Sequence, residues 1–228
     1  MGTSTPIDIL FEDNHLLVVA KPARLLVAPD ETGDESLLDR ARDYLRVVGN
    51  KPGNVYVGLV HRIDRPVSGV VLFARTSKAA GRLAEQFRTG TVRKQYVAAV
   101  RGEVPPRGDL VDWLLKNPES NLVQSVPPRT PQAKESRLTF RRMKQSRGTV
   151  LVEVEPITGR SHQIRVQLAT AGFPIEGDVK YGGTAGWEGA IALHAWKLTI
   201  SHPTRQEPMT FTCPLPEEWR QRGVPEID

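Results

Sequence analysis

The chain has 228 residues, a length at which α/β and all-β folds still form one core, so a single domain over residues 1–228 is expected. Its 39% hydrophobic and 25% charged residues suit a folded globular protein, and no apolar run approaches the ~18 residues that would suggest a membrane helix. Lys and Arg number 31 against 26 Asp and Glu, a net charge of +5 that favours anionic partners, while the single cysteine, Cys213, excludes an internal disulfide. Met1–Pro6 lacks the basic segment and apolar run of a signal peptide, so a cytoplasmic, reducing location is expected.

Along the chain, Ile7 to Val27 holds apolar runs parted by Asp13-Asn14, the pattern of a strand hairpin. Asp34 is placed to cap a helix carrying Leu37, Leu38, Ala41, Leu45 and Val48, which Gly49 ends. Leu59–Ile63 and Val70–Ala74 read as strands, so Asp64–Gly69 form the loop between them. Ser77 opens an amphipathic helix with Ala80, Leu83, Ala84 and Phe87 inward, and Tyr96–Val100 follow as a strand. Residues 104–135, rich in proline and weakly periodic, read as an extended loop excursion from the core, with room for a short hairpin. Strands resume at Ser136–Phe140 and Thr149–Glu155, a helix spans Ser161–Ala171, and Ala190–Thr212 reads as strands broken at His202-Pro203 and Glu207-Pro208. Strands and helices without regular βαβ spacing indicate an α+β fold with a mostly antiparallel sheet.

Three features could carry chemistry. Asp64 lies between Arg62 and Arg65, and neighbouring positive charge favours the carboxylate; such a group can serve as nucleophile, general base or plain ion-pair partner. Gly159–Val166 gathers Arg160, His162, Gln163 and Arg165 at a helix start, fit to meet an anion or a fixed carboxylate such as Asp64, or to form a solvated basic face. Tyr96 opens an apolar strand, from which its ring could stack on a planar ligand or enter the core. The histidines lack metal-ligand spacing, so no metal is expected. Nucleotide-phosphate, dinucleotide and serine-hydrolase motifs are missing as well.

Taken in order, these segments resemble the RluA family of pseudouridine synthases over nearly the whole chain. The resemblance is carried by Phe11–Pro22, by His61-Arg62-Ile63-Asp64-Arg65-Pro66-Val67-Ser68-Gly69 continuing to Thr76, by Arg93–Ala98, by Gly159–Val166 with Pro174–Gly182, and by Leu193–Ala195 with His202-Pro203. Ala20, Arg24, Val67 and Gln167 depart from the family pattern, where Asn, Gly, Thr and His are common, and Arg24 falls where a tight turn is expected.

The resemblance implies a single pseudouridine-synthase-type α+β domain, with a mostly antiparallel mixed sheet flanked by helices and loops. It implies the catalytic domain alone, without the separate S4-type RNA-binding domain of some relatives. It implies isomerisation of specific uridines in structured RNA, ribosomal or transfer, without cofactor, metal, membrane or obligatory protein partner, by a monomer. Asp64 would be the nucleophile, Arg165 would hold it charged, and Tyr96 would stack on the base. Arg62 would fill the space of a flipped-out uridine, with Ile63 and Ile164 as apolar walls. His61, Arg93 and Lys94 complete the expected substrate contacts, and Arg88, Arg129 and Lys134 suit a phosphate path. A non-catalytic RNA-binding protein of the same fold is the main alternative.

Overall fold

The computed structural model describes residues 7–49, 55–146, 148–225 and 227, so Met1–Pro6, on which the reading of the N-terminus rests, lies outside the described residues. Among these residues are eleven strands, four α-helices and one 3-10 turn, an α+β composition. They group into two compact units, one from Met1–Lys94 with Ala195–Pro214 and one from Gln95–His194 with Leu215–Asp228. No helix among the described residues is long and apolar enough to cross a membrane.

In the first unit, β1 (Asp8–Glu12) and β2 (Leu16–Lys21) form the expected hairpin. The Asp13 carboxylate closes it by accepting from the backbone N–H groups of His15 and Leu16 at 2.7 and 2.8 Å. Leu16–Val19 are fully buried, so both faces of β2 are covered, and β2 is flanked in the sheet by β1 and β4 (Ser68–Ala74), itself buried throughout. The strand expected over Leu59–Ile63 is reduced to β3 (Gly58–Leu59). His61 Nε2 takes the Leu72 N–H at 2.9 Å, so a side chain satisfies β4 where a longer strand would have offered a carbonyl.

Helix α1 (Leu37–Val48) is capped by Ser36 in place of Asp34. Ser36 and Asp39 form a reciprocal capping box, while Asp34 pairs with Arg65 at 2.6 Å. Its buried stripe is Leu37, Leu38, Ala41 and Leu45, and Val48 is exposed. Helix α2 (Ser77–Thr89), capped by Thr76 and ended by left-handed Gly90, buries Ala79 and Leu83; Ala84, expected inward, is exposed, one residue round the helix from that stripe. The later strands β10 (Leu193–Ser201), which belongs to this unit from Ala195 onward, and β11 (Pro208–Thr212) pair antiparallel across the predicted break at His202-Pro203.

In the second unit, β5 (Arg93–Arg101), which enters this unit at Gln95, precedes β6 (Arg107–Lys116), β7 (Val123–Val126), β8 (Lys134–Ser146) and β9 (Thr149–Pro156), and the order β5-β9-β8-β6-β7 is antiparallel throughout. Residues 104–135 therefore hold the hairpin for which the sequence left room, β6 and β7, and β6 is a long paired strand where a loop was expected. Strand β6 pairs with β8 from Arg107↔Arg141 to Leu114↔Lys134, and β7 folds back on β6. The prolines that gave a loop-like reading, Pro105, Pro106, Pro127, Pro128 and Pro131, all sit between these strands, where a missing N–H costs no ladder bond. Helix α3 (Gln163–Thr170) is shorter than expected, with Gln163–Leu168 all buried. A 3-10 turn (Val179–Tyr181) and α4 (Glu217–Gln221) escaped the sequence pattern; α4 is anchored by buried Trp219, edge-on to Trp187.

Candidate active site

Asp64 begins a tight turn in which its carbonyl accepts from Val67 N–H at 3.0 Å, and its side chain is half-buried. Two neighbours fix this turn. Gly69 passes so close to β10 that a Cβ there would lie 2.3 Å from the Ala195 carbonyl oxygen, and its φ of +124° also excludes other residues. On the other side, the Arg65 carbonyl accepts from Arg24 N–H at 2.8 Å and from Lys21 Nζ at 3.2 Å. Arg24 stands at φ 71°, so the tight turn expected there forms although this chain has no glycine to relax it.

Lys21 is the residue that sequence reasoning missed. It is 2% exposed, and its ammonium also donates to the carbonyls of Leu25 at 2.7 Å and Pro22 at 2.9 Å. Burial pushes its pKa down to about 7, with the Asp64 carboxylate opposing that shift and Arg65 adding to it. The flanking cation Arg65 is bound to Asp34 and to the Arg24 carbonyl, and Lys21 is a buried cation coupled to Asp64. A lysine ending a run of fully apolar strand residues was the available signal.

Among the other expected substrate residues of this unit, Ile63 is buried and Arg62 is exposed beside Asp64. His61 belongs to the scaffold: besides bonding Leu72, its ring stacks on Phe87 at 4.9 Å, and burial, aided by the Lys94 charge, lowers its pKa to about 4. It is a neutral acceptor at physiological pH. Lys94 is half-buried with its pKa lowered by burial, and Arg93 is exposed. Arg88 spends its charge on Glu85.

In the second unit, Tyr96 is half-buried at the start of the apolar part of β5, opposite Val154, with Val97–Val100 fully buried behind it. Arg129 and Lys134 are exposed. Helix α3 carries Ile164, which is buried, and Arg165, which is 6% exposed. Within its own unit Arg165 grips Asp178, a carboxylate that the sequence reading did not pair with it, by Nε at 2.7 Å and Nη2 at 2.8 Å. Buried Gln163 pins the approach to the helix, accepting from Thr158 Oγ1 and Arg160 N–H and donating to the Arg137 carbonyl. Gln167 is fully buried and donates to Asp112 at 2.8 Å, tying α3 to β6.

The chain thus presents a fixed half-buried carboxylate in one unit, and a half-buried tyrosine with a buried, oriented guanidinium in the other, on antiparallel α+β scaffolds. That fold is shared with solved pseudouridylate synthase domains. A human structure titled RNA Pseudouridylate Synthase Domain Containing 4 matches with a TM-score of 0.78 at 24% identity, covering 93% of this chain and 90% of that one. Human RNA Pseudouridylate Synthase Domain Containing 1 matches at 0.75 and 21%, covering 100% and 99%.

The family model described as RNA pseudouridylate synthase matches residues 15–170, and the chain belongs to this family. Among curated relatives, ribosomal large subunit pseudouridine synthase C of Vibrio vulnificus is 36% identical over 92% of this chain and 66% of its own length. Ribosomal large subunit pseudouridine synthase D of Nitrosomonas europaea is 31% identical over 93% and 63%, and the uncharacterized RNA pseudouridine synthase YjbO of Bacillus subtilis is 34% identical over 96% and 76%. The chain therefore spans about two thirds of the length of the first two relatives. The relatives' names agree with the RluA-type motif order.

Proposed function

We propose that this protein isomerises specific uridines in RNA to pseudouridine, with ribosomal RNA the foremost substrate and transfer RNA a second candidate. The observation that carries the reading is the family match through residues 15–170, which contains Asp64, Tyr96 and Arg165 intact. Two relatives are named for the large ribosomal subunit, which favours ribosomal RNA. The match runs through residues of both units, which supports treating residues 1–228 as one catalytic domain.

In this reading Asp64 is the nucleophile. Its backbone is held by the Val67 turn, by Gly69 and by the bond between Lys21 and the Arg65 carbonyl, a rigid mounting that suits an attacking group. The reaction cleaves the bond between ribose and uracil nitrogen and rejoins the ring through carbon, releasing the hydrogen at C5. Tyr96 and Arg165 are the further catalytic residues, Tyr96 as the stacking partner of the base. The uridine must leave its stack at a cost of roughly a few kcal/mol, and exposed Arg62 is the candidate to occupy the vacated space. Ile63, Ile164, Arg93 and Lys94 line or approach the substrate, whereas His61 acts through the scaffold. We place the enzyme in the cytoplasm as a monomer without an obligatory protein partner.

The test maps pseudouridine in cellular RNA from strains carrying the wild-type protein, Asp64→Ala or a deletion. At least one position is expected to be modified only with the wild-type protein, while Asp64→Ala still binds RNA. Identical maps in all three strains, with no activity on ribosomal or transfer RNA in vitro, would reject the reading in favour of a non-catalytic RNA-binding protein.

A further inference from the structure

Arg165 is held by more than its ion pair. Its guanidinium carbon lies 5.0 Å from the centroid of the Tyr181 ring, so the cation has an aromatic face beside it as well as the Asp178 fork at its edge. The Tyr181 ring packs on Leu114, Val123 and Val166, and its hydroxyl accepts from Val123 N–H at 3.1 Å. The same hydroxyl is hydrogen-bonded to His162 Nδ1, 2.7 Å away, so it is anchored from two sides.

Asp178 is 1% exposed and equally constrained through its backbone. Its N–H donates to the Ile175 carbonyl at 3.1 Å, and its carbonyl accepts from Tyr181 N–H at 3.0 Å and Gly183 N–H at 2.8 Å. A Cβ on Gly183 would lie 2.0 Å from the Ile175 oxygen, so this turn admits only glycine there. A buried ion pair stabilises a fold no better than apolar groups of the same volume. Orientation accounts better than stability for a guanidinium held by a carboxylate, a ring and a glycine turn.

We propose that Asp178 and Tyr181 are positioning residues for Arg165 in the isomerisation, the carboxylate holding Nε and Nη2 and the ring flanking the guanidinium, so that its orientation is set before the substrate arrives. The inference rests on the proposed function. A lysine at position 165 has no fork to be held this way.

The test follows tritium release from ribosomal RNA transcribed with [5-³H]uridine, comparing the wild-type protein, Asp64→Ala, Asp178→Asn, Tyr181→Phe and Arg165→Lys, with melting temperature and RNA Kd measured for each. Asp178→Asn is expected to lower the single-turnover rate by about 30-fold or more while Kd stays within about threefold, because a misaimed group loses rate before binding. Tyr181→Phe keeps the ring and loses the hydroxyl that accepts from Val123 N–H, and a rate lower by about three- to tenfold is expected with Kd within about threefold and a melting temperature lowered only by that one bond. If Asp178→Asn does not fold, Tyr181→Phe decides. Folded variants with wild-type rates, or rate, Kd and melting temperature falling together, overturn the inference while leaving the function standing. No tritium release from the wild-type protein overturns both.

Discussion

Lys21 in the first unit and Arg165 in the second are both buried cations, 2% and 6% exposed, yet they are held by partners of different kinds. Lys21 donates to three backbone carbonyls, of Pro22, Leu25 and Arg65, none of which carries a charge. Arg165 is clamped by the carboxylate of Asp178. The ammonium supplies one N–H to each of these three carbonyls, and loss of its proton leaves one of them without a donor, so the Asp64 turn is held by a group whose grip depends on pH. The guanidinium stays protonated at any accessible pH, so the cation of the second fastening is permanent. One unit has a pH-responsive fastening and the other a permanent one.

The largest effect should come from breaking the permanent one. Asp178→Ala leaves the Arg165 charge buried without this carboxylate and should cost about 3–5 kcal/mol of stability. Urea denaturation measures it, and a loss below about 1 kcal/mol would mean the clamp is far better solvated than its burial indicates.

A smaller effect should distinguish the other fastening. Lys21 has its pKa lowered to about 7 in the folded protein from 10.5. Between those values the unfolded chain binds more protons, so stability should rise with pH through that window, and below about 7 the full penalty of burying the charge persists. Lys21→Met should flatten that rise by on the order of 1–2 kcal/mol between pH 7 and 9. Lys94 also has a lowered pKa, so the comparison of wild type with Lys21→Met isolates the Lys21 share. His61, lowered to about 4 from 6.5, adds stability as pH rises through that separate lower window. An unchanged alkaline slope in Lys21→Met would remove the contrast between the units.

The smallest effect concerns the turn that Lys21 secures. Arg24→Gly relieves a side chain at φ 71° but enlarges the unfolded ensemble, so a net gain of up to about 1 kcal/mol is expected in thermal melting. A loss would show that the Arg24 side chain contributes more than its backbone strain costs.

How far the sequence could be read follows the same division between local and distant contacts. The Asp13 hairpin turn, the ends of α2 at Thr76 and Gly90, and the Asp64–Gly69 loop rest on contacts within a few residues, which composition and spacing encode. The choice of Ser36 over Asp34 as a cap was also locally encoded, through Asp39 three residues on, and was misread because both residue types can cap. Residues 104–135 were misread for another reason. Their β6 strand is defined by pairing with β8, from Arg107↔Arg141 to Leu114↔Lys134, and its alternation is diluted by charges on an exposed face.

By itself the sequence determined the α+β class, the family through its ordered motifs, and Asp64, Tyr96 and Arg165 as the residues to watch. Tertiary structure alone decided that Lys21 reaches the Arg65 carbonyl across 44 residues of sequence, that Asp178 and Tyr181 hold Arg165, and that His61 serves the scaffold. The physical reason is that a buried polar group must find a partner, and which partner it finds depends on how the strands and turns bring distant backbone together.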